Sequence, residues 1–214
     1  REIFYVPNPP FRPEFLLSHL RQAMNVHKTK WGKRKLRLFA CSCCRRYWNE
    51  LNPEGRSAVE FAEQFADGKA TRQERWEYWQ RIVDPPNGRR FTRSDFGQYV
   101  LETSDWCAAD IMPIVSYSVF CETPRFPQEW GDEAFRIAGN IHDIFGNPFR
   151  LVSWRESWRT PAVIGMAESI YETHRFRDLP ALATQLEAAG WDEAEILAHW
   201  RRPQARVRGC WVVD

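Results

Sequence analysis

Apolar residues recur along this chain at the three- and four-residue spacing of helices, and long strand-like alternation is absent. The segment from Lys33 to Trp48 shows the pattern most clearly. Its apolar stripe consists of Leu36, Phe39, Ala40, Cys43, Cys44 and Tyr47. The pattern predicts an all-α fold, a single irregular bundle of about eight or nine helices.

Cap- and turn-forming residues mark where these helices begin and end. Pro13 begins a first helix, Asn52-Pro53 begins a third that stops at Asp67-Gly68, and Thr71 with Glu74 forms the capping box of a fourth. Lys28 to Gly32 is predicted as a linker before the second helix. Later helices are predicted at 94–120 (bent near Pro113), 129–145, 160–174, 179–189 and 192–201.

The domain organisation predicted from these breaks is one helical domain over 1–214, with a subdivision near 84–92 as the alternative. The strongest break is Asp84-Pro85-Pro86-Asn87-Gly88. The chain begins at Arg1 rather than Met and ends within an apolar run, Cys210 to Asp214. We therefore expect a piece truncated at both ends.

Composition is that of a folded globular protein. The 214 residues are 43% hydrophobic and 27% charged, and eleven Trp and fourteen Phe predict an aromatic-rich core. No apolar run approaches the roughly 20 residues that span a bilayer, so no membrane partner is predicted. The six cysteines do not form a turn-rich disulfide framework. Reduced thiols and a cytoplasmic location are predicted instead.

Positive charge is concentrated in the segment 21–46, and no Asp or Glu occurs from Phe15 to Asn49. In a chain with a formal net charge of only +2, such a block indicates an anionic partner, nucleic acid for example, or an acidic counterpart inside the protein. The internal ion-paired face is the favoured interpretation.

Arg37, Cys41 and Arg45 follow one another at helical spacing and are predicted to share a polar face. Two flanking guanidinium groups would favour a thiolate at Cys41, which is expected to be more accessible than Cys43 and Cys44. A catalytic cysteine also needs a positioned base, and no His is nearby in the sequence. No other catalytic constellation is visible, so the sequence leans against an enzyme.

Guanidinium and indole groups alternate in the predicted loop 147–160, at Arg150, Trp154, Arg155, Trp158 and Arg159. Cation–π stacking among them would pin the loop to the domain, which is the favoured interpretation. The same groups would alternatively line a ligand groove with Asp143 and Asn147.

Zinc is the only cofactor that the residues suggest. Cys41, Cys43, Cys44, His199 and Cys210 would supply a Cys3His set if the two ends of the chain met. The chain has one cysteine cluster rather than two paired knuckles, and cysteine is commonly buried without metal. No cofactor is therefore expected, with a zinc site built from Cys41, Cys44, His199 and Cys210 as the alternative.

Three blocks resemble an uncharacterised bacterial family that occurs in many copies per genome: Arg34 to Arg46 (RKLRLFACSCCRR), Asp143 to Arg150 (DIFGNPFR) and Val207 to Asp214 (VRGCWVVD). The resemblance implies a helical module with no known activity. It places Arg208 among the candidate binding residues, and it predicts that the last block packs near the cysteine-rich helix or the 147–160 loop. Relatives carry Cys after the His199 position and His before the last block, where this chain has Trp200 and Arg206.

The function predicted from these features is non-catalytic binding of a protein partner through the 147–160 loop and the basic helix. A nucleic-acid-binding module that uses the segment 21–46 is the alternative. A zinc-binding or thiol-based protein is the second alternative.

Overall fold

The structure is a computed structural model, and it describes residues 13–22, 25–49, 51–82, 127–146, 155–201 and 208–211. Within these ranges the chain forms helices and no strand, so the all-α prediction is confirmed. The described part contains eight α-helices: α1 (Pro13–Gln22), α2 (Lys30–Arg46), α3 (Pro53–Ala66), α4 (Arg72–Ile82), α5 (Pro127–Phe145), α6 (Pro161–Thr173), α7 (Leu179–Ala188) and α8 (Ala194–Arg201).

Three short 3-10 turns join this set, at Val26–Lys28, Glu156–Trp158 and Phe176–Asp178. None of the described helices combines the length and apolar character that crossing a membrane requires. The predicted helix at 94–120 and the predicted subdivision near 84–92 lie outside the described residues.

Local capping explains why the helices begin where the sequence predicts. The Asn52 side chain accepts a hydrogen bond from the Gly55 N–H at 2.7 Å, with Pro53 in the first turn of α3. At α4, the Thr71 N–H donates to Glu74 Oε2 at 2.7 Å, and the Glu74 N–H donates back to Thr71 Oγ1 at 3.2 Å. This pair is the predicted capping box.

The start of α2 differs from the sequence prediction. The segment predicted as a linker, Lys28 to Gly32, contains the start of α2, because the Thr29 side chain accepts a hydrogen bond from the Gly32 N–H at 2.9 Å and caps the helix. Gly32 is buried against the preceding 3-10 turn. A Cβ at this position would lie 2.0 Å from the Val26 carbonyl oxygen, so this close approach requires glycine.

The chain divides into two compact units, residues 1–141 and 142–214. In the first unit α2 packs against α3. Every α2 residue from Lys35 to Cys44 is buried, so this middle part of α2 is enclosed on all sides, whereas both ends of the helix carry exposed residues. The core between α2, α3 and α4 consists of Ala40, Cys41, Cys44, Leu51, Ala58, Val59, Ala62 and Tyr78.

The second unit is built from the last residues of α5 and from α6 to α8, and it has an aromatic core. Trp158 and Trp191 pack with ring centroids 4.3 Å apart, and Trp200 is buried with them. The same cluster also contains Leu179, Leu182, Leu186 and Leu197. The predicted stop at Gly190 is present, with φ of +86° directly after α7. The single domain predicted for residues 1–214 stays a prediction.

Candidate functional site

The face of α2 that carries Arg37, Cys41 and Arg45 is packed inside the first unit. The Cys41 thiol donates to the Val59 carbonyl oxygen at 3.9 Å, and the Arg37 guanidinium lies 4.4 Å from the centre of the Phe65 ring. Arg37 and Cys41 are therefore buried, whereas the Arg45 side chain is 30% exposed. Because every residue from Lys35 to Cys44 is buried, a second face of α2 is buried beside the predicted apolar stripe.

Cys41 is as inaccessible as its neighbours, with exposed fractions of 1% for Cys41, 2% for Cys43 and 0% for Cys44. The prediction that Cys41 is the most accessible of the three is wrong. Burial raises the pKa of Cys41 well above its ordinary value, the charge of Glu63 adds to this effect, and Arg37 and Arg45 oppose it with less weight. Burial likewise raises the pKa of Cys44. The site therefore favours neutral thiols over a reactive thiolate.

The basic segment 21–46 meets acidic residues of α3. Arg45 donates to both carboxylate oxygens of Glu63, at 3.0 and 2.8 Å, and Arg34 pairs with Asp67 at 2.8 Å. Burial alone would lower the pKa of Arg45, but the hydrogen bond and charge of Glu63 outweigh it and raise that pKa. Two cations of the segment thus have their acidic counterparts within the first unit.

Other cations of the segment differ in exposure. Lys35 is buried, with its Nζ 5.8 Å from the centre of the Trp31 ring. Lys28, Lys30, Lys33 and Arg46 are exposed. Trp31, which is close in sequence to Lys28, Lys30 and Lys33, lies at the start of α2 and is 48% exposed.

Of the candidate residues in the predicted loop 147–160, Asn147, Arg150 and Trp154 lie outside the described residues. Trp158 is buried in the core of the second unit, and the Arg155 guanidinium lies 5.2 Å from the centre of its ring. Arg159 is exposed and lies 3.8 Å from Glu156. In the described half of the loop, Trp158 therefore acts as an anchor.

Three side chains with metal-ligating atoms meet in the second unit. His199 Nε2 lies 3.2 Å from Asp143 Oδ1 and 3.4 Å from Cys210 Sγ. One donor atom from each residue falls within 4.8 Å of the others. Asp143 and Cys210 are buried, and the His199 side chain is only 15% exposed. These are the described residues that could hold a metal ion.

Backbone and ring contacts position this cluster. Asp143 belongs to the last turn of α5 and His199 to the last turn of α8. The Trp211 N–H donates to the Asp143 carbonyl oxygen at 2.9 Å, which fixes the neighbouring Cys210 beside α5. Gly146, with φ of +70°, lies under the Trp211 ring, and a Cβ there would be 2.7 Å from Trp211 Cδ2. The segment 208–211 is thus docked by contacts other than those of the cluster itself.

Arg208 contacts α6. Its guanidinium lies 3.0 Å from His174 Nε2 and 4.6 Å from the centre of the Tyr171 ring. Trp211 packs against the hydrophobic cluster that contains Trp158. The described part of the last block therefore packs on the core of its own unit, next to the anchor of the 147–160 loop.

The sequence alone predicts a different set of metal ligands. It placed His199 and Cys210 in one zinc set, but it gave the remaining positions to Cys41 and Cys44, which lie in the α2–α3 core of the first unit. Asp143 was assigned to a ligand groove with Asn147 rather than to a metal site. The available signal was the resemblance, which ties the blocks containing Asp143 and Cys210 to one module. Comparison with family models, curated proteins and solved structures gave no match.

Proposed function

We propose that this chain is a non-catalytic helical interaction module that binds a protein partner through the start of α2. The observation that supports the proposal is the exposed indole of Trp31, in a stretch of the chain where Lys28, Lys30 and Lys33 are exposed as well. We call these four residues the α2 entry surface. Nearly half of a Trp side chain in water is apolar area that a partner would cover favourably. Trp is also enriched among the residues that dominate binding energy at protein interfaces.

Charge indicates the chemistry of the partner. A stretch with an exposed indole and three exposed lysines suits a protein segment that carries acidic and apolar residues, because opposite charge guides the encounter and apolar burial supplies the affinity. Nucleic acid is the less favoured ligand. Arg34 and Arg45 are already paired with carboxylates, and Lys35 and Arg37 are buried, so the described part of the segment presents much less positive charge than its composition suggests.

The cellular compartment of the module is part of the same proposal. The four described cysteines are free thiols, all of them buried: Cys41, Cys43, Cys44 and Cys210. This state suits the reducing environment of the cytoplasm, where we place the module.

Site-specific crosslinking tests the proposed surface. A photoreactive amino acid at position 31, introduced in the organism of origin, should yield a protein adduct that protease digests and nuclease does not. The same substitution at Trp76, an exposed indole on α4, serves as the matched control. An adduct that nuclease digests would support the nucleic-acid alternative. Identical adducts from both positions, or none from position 31, would contradict the proposal.

The identified partner then allows a quantitative test with purified proteins. Trp31→Ala should weaken its binding by roughly 30-fold, which corresponds to the 2 kcal/mol of an interface hot spot. Trp76→Ala should leave the affinity within about twofold. Equal losses in the two variants would show that exposed indoles matter only non-specifically.

A further inference from the structure

We infer that Asp143, His199 and Cys210 form a zinc-binding site in the second unit. Zinc bonds of about 2.3 Å to sulfur, 2.0 Å to nitrogen and 2.1 Å to oxygen, at tetrahedral angles, separate nitrogen from sulfur by about 3.5 Å and nitrogen from oxygen by about 3.4 Å. The corresponding distances in the protein are 3.4 and 3.2 Å. The two distances to His199 Nε2 thus match those of ligands around one small ion, and the donor atoms of Asp143 and Cys210 lie within 4.8 Å of each other.

The use of a single ring nitrogen separates this arrangement from a catalytic triad. In a Cys–His–Asp triad the thiol contacts one imidazole nitrogen and the carboxylate orients the ring through the other. Here Asp143 Oδ1 and Cys210 Sγ both face Nε2 of His199. One N–H cannot point straight at two acceptors, whereas a metal ion takes one donor atom from each of the three residues. The geometry therefore favours coordination over proton relay.

The donor types favour zinc over magnesium and calcium. A thiolate with an imidazole and a carboxylate is a borderline-soft set that suits Zn²⁺, while Mg²⁺ and Ca²⁺ prefer oxygen ligands alone. Coordination converts the Cys210 thiol to a thiolate and releases its proton to solvent. Three protein donors give a tetrahedral ion one further position, which a water molecule can take.

Packing holds the three ligands at these separations independently of any ion. Asp143 and His199 are each carried by the last turn of a helix, and Trp200, next to His199, is buried in the aromatic core. The turn with Cys210 is fixed by the Trp211 hydrogen bond to Asp143 and by the ring of Trp211 against Gly146. Such preorganisation reduces the ordering that metal binding must impose. The inference concerns the second unit only and does not depend on the α2 entry surface.

Metal titration of the purified full chain, freed of metal with a chelator, tests the site. Zn²⁺ titrated against a competing chromophoric chelator should bind with one equivalent per chain. Each of Asp143→Asn, His199→Gln and Cys210→Ala should weaken binding by more than about 100-fold, above the 10- to 100-fold that loss of an outer-shell partner costs. Co²⁺ in place of zinc should give the visible bands of a tetrahedral ion and a near-ultraviolet thiolate band, and the thiolate band should vanish in Cys210→Ala.

Matched controls come from the chain itself. His142→Gln changes the exposed neighbour of Asp143, and Cys44→Ala changes a thiol as buried as Cys210; both should bind zinc as the unchanged protein does. Circular dichroism verifies that each variant is folded, and the nearly isosteric Asp143→Asn decides the outcome if Cys210→Ala unfolds. Failure of the folded, unchanged chain to bind zinc at micromolar free concentration would overturn the inference. Equal losses in ligand and control variants would overturn it as well.

Discussion

Glu63 is a carboxylate whose side chain is only 4% exposed, and Arg45 supplies two hydrogen bonds to it. Burial of a charge is unfavourable unless a partner compensates it. The pair therefore matters to the fold less for its own attraction than for what either group would cost alone. The basic segment 21–46 was expected to have either an anionic partner or an acidic counterpart inside the protein. The pair shows that part of its positive charge is neutralised within the first unit.

Arg45→Met should lower the free energy of unfolding by roughly 2–4 kcal/mol, somewhat less than full burial would give because Arg45 is 30% exposed. The double variant Arg45→Met/Glu63→Gln should recover part of that loss. Arg46→Met, at the exposed neighbouring position, should change stability by less than about 0.5 kcal/mol. Urea unfolding measures all three. A single Arg45 variant as mild as the Arg46 control would contradict the role of the pair.

Two glycines offer a second residue-scale test with opposite expected signs. Gly32→Ala would force a Cβ to 2.0 Å from the Val26 carbonyl oxygen, so it should destabilise the protein by about 1–3 kcal/mol through overpacking. Gly165 lies within α6 with nothing within 4 Å of a Cβ. Gly165→Ala should therefore stabilise the protein by about 0.5–1 kcal/mol. Thermal unfolding of both variants measures the difference, and two changes of the same sign would disprove this account.

At the scale of single elements, capping was predictable because its signals are local. Asn52 with Pro53, Thr71 with Glu74, and Gly190 each act within a few residues of their own position. The environment of α2 was not predictable in the same way. A periodic pattern assumes one buried stripe, whereas the middle of α2 is enclosed on all sides. Its ionic partners are also distant in sequence: Glu63 lies on α3 and Asp67 directly follows it.

The capping box of α4 predicts a dependence on pH. The backbone hydrogen bond from Thr71, and after it the hydroxyl bond, lower the pKa of Glu74 below its ordinary value of 4.5. A carboxyl group with a lowered folded-state pKa stabilises the fold above the unfolded value and loses that contribution as pH falls through the folded value. The unchanged protein should thus exceed Glu74→Gln in stability near neutral pH. The difference should shrink as the pH falls below 4.5 and disappear below the lower pKa of the folded state, in unfolding measured over a pH series. A difference that does not change with pH would rule out the ionised cap.

Thiol chemistry reports on α2 as a whole. Because Cys41, Cys43 and Cys44 are all buried, and burial raises the pKa of Cys41 and Cys44, each should react with an alkylating reagent only when the helix opens. All three should therefore be modified together and slowly in the folded protein, and at once in denaturant. Peptide-resolved mass spectrometry over time measures this. Early modification of Cys41 alone would contradict this account, because it would show that Cys41 is more accessible than Cys43 and Cys44.

For the whole molecule, sequence predicted the class of fold and the role of aromatic residues in the core, since both follow from composition and spacing. It did not predict the cluster of Asp143, His199 and Cys210. These positions are far apart in sequence and meet only because α5, α8 and the 208–211 turn converge. No local pattern carries that information, so the sequence paired His199 and Cys210 with the conspicuous cysteines of α2 instead.

Zinc bound at the inferred site should stabilise the second unit. At a free concentration 100 times its Kd, an ion that binds only the folded state adds about 2.7 kcal/mol to the free energy of unfolding. Hydrogen exchange of α8 amides, compared with and without Zn²⁺, should slow accordingly, and His199→Gln should show no such change. Unchanged exchange in the unaltered, zinc-loaded chain would contradict the prediction.

The enclosure of α2 also has a practical consequence for handling this protein. Unfolding of the first unit would release Lys35 and Arg37 together with three thiols, in a segment without a single acidic residue. A heated or aged sample would then attract RNA and form mixed disulfides, although the native molecule has these groups covered. Association with nucleic acid that increases during storage would measure damage rather than activity, and fresh, reduced material is needed to distinguish the two.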